Sequence, residues 1–281
     1  VSQVTGPPAS PAPMRPVMHR VVRRRQDLDD TVTLWLEPIA EAVGLAAAGQ
    51  FNMLWAFGIG EAPISLAGSD DGLLVHTVRA VGAVTIALCS ASEGTEIGVR
   101  GPFGTGWGQA EAEGRDVVVV AGGLGLAPVR PLVMDILSRR DRFGRTSLLV
   151  GARSPDTLLY HDELTRLAAD GSIEVDITVD TAPPSWPGHV GVVTNLINGA
   201  ADLSPEAAAF VCGPEVMMRF TARALIDQGL APEAIAVSLE RNMHCAIGHC
   251  GHCQLGSTFI CKHGPVLPWP RVEPLIAVRE R

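Results

Sequence analysis

The chain has 281 residues, 47% of them hydrophobic and 19% charged, with a formal net charge of −8. That is enough for two modest domains with an appendage, too apolar for disorder, and too acidic for a nucleic-acid partner read through its phosphates. Lys262 is the sole lysine, so any phosphate held by a side chain must be held by arginine.

The opening segment, "VSQVTGPPASPAPMRPVMHR", is rich in Pro, Ala and Ser and lacks the apolar core of a signal peptide. It reads as a flexible tail over 1–17 of a cytoplasmic protein, where thiols stay reduced. No eighteen-residue apolar run occurs, so no membrane span is expected. From 18 to 107 the signals are strand-like and closely spaced, with Val32, Leu34 and Leu36 alternating in "TVTLWLEP" and turn residues between the runs. That pattern predicts an antiparallel β-barrel, with one helix at "AVTIALCSA".

Beyond Gly106 the pattern changes. "DVVVVAGGLGLAPVRPLVMDILSRR" is a buried strand, a glycine-rich turn and an amphipathic helix, and strand–helix alternation continues to "AAAFVCGPEVMMRFTARALIDQG". This predicts an α/β domain over 108–236, built on a parallel sheet with right-handed crossovers. The first turn places Gly122, Gly123 and Gly125 before a helix start with Pro128 in its first turn. Glycines there admit close backbone approach, and free helix N–H groups suit a phosphate, although a turn that merely packs helix on sheet has the same form. At the next strand ends stand Gly151, Arg153 and Ser154, then Cys212, Gly213, Pro214 and Glu215. In an open α/β sheet such loops converge on one ligand crevice.

The last part, 237–281, holds four of the six cysteines, in "HCAIGHCGHCQLGSTFIC". Cys245, Cys250, Cys253 and Cys261 reproduce the C-x4-C-x2-C run of plant-type [2Fe–2S] proteins, with a fourth cysteine downstream. Zinc is the competing ligand, but zinc ribbons carry two short cysteine knuckles and only one such pair is present. The neighbouring histidines are then surroundings of the cluster rather than ligands. No constellation for a catalytic nucleophile or general base is found.

"AGGLGLAPVRPL", "VGARSPDTLLYHDEL" and "CGPEVMM", in this order after a barrel, resemble the ferredoxin–NADP reductase superfamily. The resemblance spans about 17–261 and implies an NAD(P) site. Gly122, Gly123, Leu124, Gly125, Leu126, Ala127 and Pro128 would hold the pyrophosphate, and Cys212–Glu215 would lie near the nicotinamide. Arg153 would meet a ribose 2′-phosphate, favouring NADPH over NADH, with Ser154 beside it in the same cofactor-binding loop. The resemblance also implies FAD on the barrel. "EAPISL" supplies Pro63, Ile64 and Ser65 for the isoalloxazine, and "HTVR" (His76, Thr77, Val78, Arg79) lines the ribityl side. Gly82, Ala83, Val84 and Thr85 open the pyrophosphate-binding helix. One departure stands out: Ala62 replaces the usual arginine, leaving Arg79 or Arg100 as substitutes.

A cluster after the nucleotide domain is similar to one subgroup of that superfamily. "SLERNMHCAIGHCGHCQLG" and "QFNMLWAFGIGEAPISL" resemble the gamma subunits of NAD(P)-linked nickel–iron sulfhydrogenases. The resemblance implies a diaphorase that moves electrons between NAD(P)(H), FAD and a [2Fe–2S] cluster, with iron–sulfur and hydrogenase subunits as partners in a hetero-oligomer. The electron-transfer subunit of a dihydroorotate dehydrogenase is the alternative, and a zinc-stapled nucleotide-binding regulator the alternative of another class.

Overall fold

A computed structural model of the chain describes residues 13–44, 46–199 and 203–276; residues 1–12 of the expected tail lie outside them. Six antiparallel strands close a barrel: β1 (Val17–Leu28), β2 (Thr31–Pro38), β3 (Phe51–Ala56), β4 (Gly60–Asp70), β5 (Leu73–Arg79) and β6 (Glu96–Phe103), in the order β1-β2-β5-β4-β3-β6. Val32, Leu34 and Leu36 face its interior with Leu54, Ile64 and Val78, as a period of two requires. The helix α1 (Ala83–Cys89), expected from "AVTIALCSA", adds Leu88 to the same core. Cys89 donates its thiol to the Val78 carbonyl.

The α/β half contains β7 (Val117–Gly122), α2 (Leu126–Ser138), β8 (Thr146–Ala152), α3 (His161–Asp170), β9 (Glu174–Val179), β10 (His189–Val190), α4 (Thr194–Gly199), β11 (Ala208–Cys212), α5 (Glu215–Asp227) and β12 (Ile235–Ser238). Val117, Val119 and Ala121 pack on the α2 and α3 side, and Val118 and Val120 on the α4 and α5 side. A central parallel strand covered on both faces reads as a continuous apolar run for this reason.

After β12 the chain forms the cysteine segment, with β13 (Gln254–Leu255), β14 (Thr258–Phe259) and α6 (Ile260–His263), and then returns. β15 (Val266–Pro268) pairs antiparallel with β12, completing the order β10-β9-β8-β7-β11-β12-β15, and α7 (Trp269–Ile276) buries Trp269, Val272 and Ile276 against the sheet. The sequence reading ends the nucleotide domain at 236. In the structure that position lies inside β12, and the cysteine segment is a loop between β12 and the edge strand β15 rather than a trailing appendage.

The two halves are clamped together. Thr31, Thr33 and Trp35 are buried although they alternate with the interior residues of β2, because the second domain covers that outer face. Thr33 bonds Thr77, and Thr77 bonds the hydroxyl of Tyr160, the chain's sole tyrosine, whose pKa burial pushes up to about 12. Arg130 of α2 pairs with Glu163 and donates to the Ala67 carbonyl of β4 at 2.8 Å. Among the described residues no helix is long and apolar enough to cross a membrane.

The barrel interior contains His76, fully buried, with Nδ1 2.9 Å from the Ser65 carbonyl and Nε2 3.1 Å from the Asn52 amide. Burial lowers its pKa to about 4 and also lowers that of the buried His19. The unfolded chain therefore takes up a proton near the ordinary histidine value of 6.5 that the folded barrel refuses until about 4. The stability tied to neutral His76 is complete above 6.5 and is lost as pH falls towards 4, by up to about 3 kcal/mol. Urea midpoints recorded across that window should fall less steeply for His76→Gln than for the parent chain; parallel profiles would contradict this.

Candidate cofactor-binding site

The glycine turn and the Cys-Gly-Pro loop meet. A Cβ on Gly125 would lie 2.4 Å from the Cys212 carbonyl oxygen, and one on Gly122 would lie 2.2 Å from the Met217 sulfur. Only glycine lets these strand ends close up. Gly123 has φ +54° and open space beside it, which leaves its backbone accessible. Leu126, Ala127 and Pro128 are buried, so their side chains serve the core and what the turn offers a ligand is backbone. No side chain caps α2 and no acidic residue occupies its first turn, which suits an anion. Trp107 fixes this helix start by donating to the Pro128 carbonyl.

Arg153 is exposed past the end of β8, and its guanidinium makes no hydrogen bond among the described residues. Ser154 is tied to Thr157 by its backbone. The Cys212 thiol is buried, bonded to Ser238, and raised well above the usual thiol range by that burial, which makes it unreactive. Glu215 approaches Arg241 at 3.9 Å.

On the barrel, Pro63 and Ser65 pair across from Met53 and Phe51 and share their face, which is turned to the α/β domain. Ile64 points the other way, into the barrel core. Of the "HTVR" strand, His76 and Val78 also turn inward, where they offer no side chain to an outside ligand; alternation dictates this. Thr77 faces outward but is engaged by Thr33 and Tyr160, and Arg79 pairs with Asp30 at 3.4 Å. At Gly82–Thr85 the Thr85 hydroxyl accepts from the Val81 and Gly82 amides, and Val84 adjoins Gly60 at the start of β4.

Arg100, one of the two substitutes for the arginine missing at Ala62, is committed elsewhere. It forms a fork with Glu61 and donates to the His244 and Cys245 carbonyls. Ala62 itself packs towards the barrel core.

The four cysteines come together as two pairs. The Cys250 amide donates to the Cys245 sulfur and the Cys261 amide to the Cys253 sulfur, each at 3.4 Å. Further amides are aimed at the sulfurs: Gly248 to Cys261 at 3.2 Å and His249 to Cys245 at 3.2 Å. Cys250, at the surface, is held down to about 7 by the His252 amide, whereas burial pushes Cys261 up to about 12. Among the described residues no three His, Cys, Asp or Glu side chains close on one point suited to a single ion. Four cysteines with backbone amides converging on their sulfurs fit an iron–sulfur cluster. His244 and His252 stack on each other with ring centres 4.0 Å apart. A cavity of about 630 Å³ lies elsewhere, at the opposite strand ends beside Asp116, Arg145 and Glu174.

Tyr160 and the Glu61–Arg100 pair escape motif reasoning, because their partners are distant in sequence. The only signals were that Tyr160 is the sole tyrosine and that a carboxylate stands beside the missing arginine.

Comparison with known proteins agrees with this geometry. Residues 119–223 match the oxidoreductase NAD-binding domain family, and 240–273 match the iron–sulfur cluster binding domain of dihydroorotate dehydrogenase B. The chain is 35% identical over 266 residues to the gamma subunit of sulfhydrogenase 1 from Pyrococcus furiosus, covering 90% of this chain and 91% of that one. It is 32% identical over 254 residues to a probable dihydroorotate dehydrogenase B (NAD(+)) electron transfer subunit from Methanopyrus kandleri, covering 90% of each. The solved structure of an NADH-dependent reduced ferredoxin–NADP oxidoreductase superposes with a TM-score of 0.74 at 25% identity, over 93% of this chain and 94% of that one. The chain belongs to the ferredoxin–NADP reductase-like FAD/NAD-binding oxidoreductases that carry a dihydroorotate dehydrogenase B-type iron–sulfur domain. It is an NAD(P)-linked flavin and iron–sulfur oxidoreductase.

Because Gly125 abuts the Cys212 carbonyl, Gly125→Ala should pry the two nucleotide loops apart. NAD(P)H affinity should fall by up to about 100-fold while FAD and iron content hold. Titration of the purified variant with NAD(P)H checks this, and unchanged affinity would contradict it.

Proposed function

We propose that this chain is the diaphorase subunit of a nickel–iron hydrogenase, passing electrons between NAD(P)(H), FAD and a [2Fe–2S] cluster and on to partner subunits. FAD, when bound, supplies the exchange between a two-electron hydride donor and one-electron carriers. The residues of the chain orient and enclose. Pro63 and Ser65 present the barrel face for the isoalloxazine, and the N-terminal turn at Gly82, Ala83, Val84 and Thr85 receives the pyrophosphate. The backbone of Gly122–Gly125 and the Cys212–Glu215 loop receive the nicotinamide nucleotide. Cys245 and Cys250 serve one iron, Cys253 and Cys261 the other.

The observation that carries this reading is a shared core. Phe51 and Met53, beside the proposed flavin face, lie in one apolar cluster with Cys253, Cys261, Leu255 and Ile260. A continuous core of that kind keeps the two proposed redox sites in fixed relation. The likeness to a sulfhydrogenase gamma subunit over nine-tenths of both chains supports the hydrogenase assignment. The match of 240–273 to the dihydroorotate dehydrogenase B domain supports the second reading, an electron-transfer subunit of that enzyme. What co-purifies from native cells separates them: a nickel protein or a dihydroorotate-oxidising flavoprotein.

Anaerobically purified chain should contain FAD, with iron and acid-labile sulfide at two each. It should reduce dyes with NAD(P)H without partners, and NAD(P)H should elicit the paramagnetic signal of a reduced two-iron cluster. Colourless protein carrying zinc would defeat the reading. Arg153, exposed and with its guanidinium unpaired among the described residues, is assigned to the 2′-phosphate. Arg153→Ala should lower the preference for NADPH over NADH by about tenfold, the scale of a lost charge-assisted hydrogen bond.

A further inference from the structure

Arg100 is nearly unexposed, and all five of its N–H groups have acceptors. Nε and one Nη2 hydrogen go to Glu61, with Nε at 2.9 Å. The other Nη2 hydrogen points to the His244 carbonyl at 3.4 Å, and Nη1 reaches the Pro13 carbonyl at 2.8 Å and the Cys245 carbonyl at 3.3 Å. One guanidinium thus joins three pieces of chain that no strand pairing connects. Glu61 lies two residues before Pro63, on the same strand face. The carbonyls belong to the residues that open the cysteine segment.

We propose that Arg100, set by Glu61, is a positioning residue that locks the first cysteine of the cluster loop to the flavin strand of the barrel. The proposal rests on the electron-transfer reading above. With the 244 and 245 carbonyls turned to Arg100, the chain reverses at Ala246, which takes φ +62°. That conformation costs an alanine about 1 kcal/mol and persists only where its surroundings impose it. The reversal delivers the amides of Gly248, His249 and Cys250 to the Cys261 and Cys245 sulfurs. Arg100 therefore acts on the cluster through backbone direction, and the buried fork keeps its charge compensated. Lysine cannot replace it: three donors on a point charge cannot serve five acceptors.

The test uses the full chain, reconstituted anaerobically, in three variants: Arg100→Lys, Arg100→Gln and Glu61→Gln. The parent chain is reconstituted in parallel. Readouts are iron content, the paramagnetic spectrum and midpoint potential of the cluster, and the stopped-flow rate of cluster reduction after flavin reduction by NAD(P)H. The expected result for Arg100→Lys is a broadened cluster spectrum and flavin-to-cluster transfer slowed by about tenfold or more, with the KM for NAD(P)H unmoved. Arg100→Gln should shift the cluster potential negative and Glu61→Gln should shift it positive, an opposition that mere loosening of the fold would not produce. Wild-type spectrum, potential and transfer rate in Arg100→Lys and Arg100→Gln would overturn the proposal. A parent chain that takes up neither FAD nor iron would instead defeat the functional reading beneath it.

Discussion

The structure depends on apolar surface that the barrel cannot bury alone. Phe51 and Met53 stand on the outside of a closed six-stranded barrel, yet both are buried, and Trp35 is nearly so on the neighbouring face. Each large side chain left in water would cost roughly 1.5–3 kcal/mol. The barrel is therefore not an independent ligand module. Its outer surface is completed by α2 and α3 near Trp35 and by the cysteine segment near Phe51 and Met53. The site between the halves exists because neither half is finished without the other.

That constraint explains why several polar groups at the seam are paired across it. Tyr160, Thr77, Thr33 and Asp27 form one chain of hydrogen bonds across it, and Arg130 spans from Glu163 to the Ala67 carbonyl. A buried hydroxyl or guanidinium without a partner would offset much of the apolar gain. A seam sealed in this way resists relative motion of the domains, as electron transfer between fixed sites requires.

Most of the architecture was legible in the residues because periodicity changes sharply at Gly106: period two before it, strand–turn–helix after it. The iron–sulfur segment was legible because cysteine spacing is a local property, and residues 240–273 match an iron–sulfur cluster binding domain. The facing of the proposed flavin strands was not legible. "EAPISL" and "HTVR" both fall on barrel strands, but half of each must face the barrel interior, and a motif string does not say which half. Ile64, His76 and Val78 are core residues for that reason. The return of the chain as β15 was hidden because three residues, Val266–Pro268, carry no recognisable strand pattern until β12 is there to pair with them.

Arginine usage is the last point that the fold reinterprets. With a single lysine, the composition seemed to reserve guanidinium groups for phosphate. In the folded chain many are directed at backbone carbonyls instead: Arg24 at Cys89, Arg115 at Glu206 and Ala207, Arg130 at Ala67, and Arg140 at Ser172, Phe143 and Gly144. A planar five-donor group can hold a carboxylate on one edge and carbonyls on another, which an ammonium cannot do with fixed direction. Carbonyls at loop junctions are the acceptors that strand pairing leaves over, so arginine is the side chain suited to joining such segments. Arg100 is the most buried case of this use, joining barrel strand, N-terminal segment and cysteine loop. Arg153, exposed past the end of β8 and with no guanidinium hydrogen bond among the described residues, is the contrasting case. Its fork remains available to a ligand because no carbonyl or carboxylate among the described residues claims it.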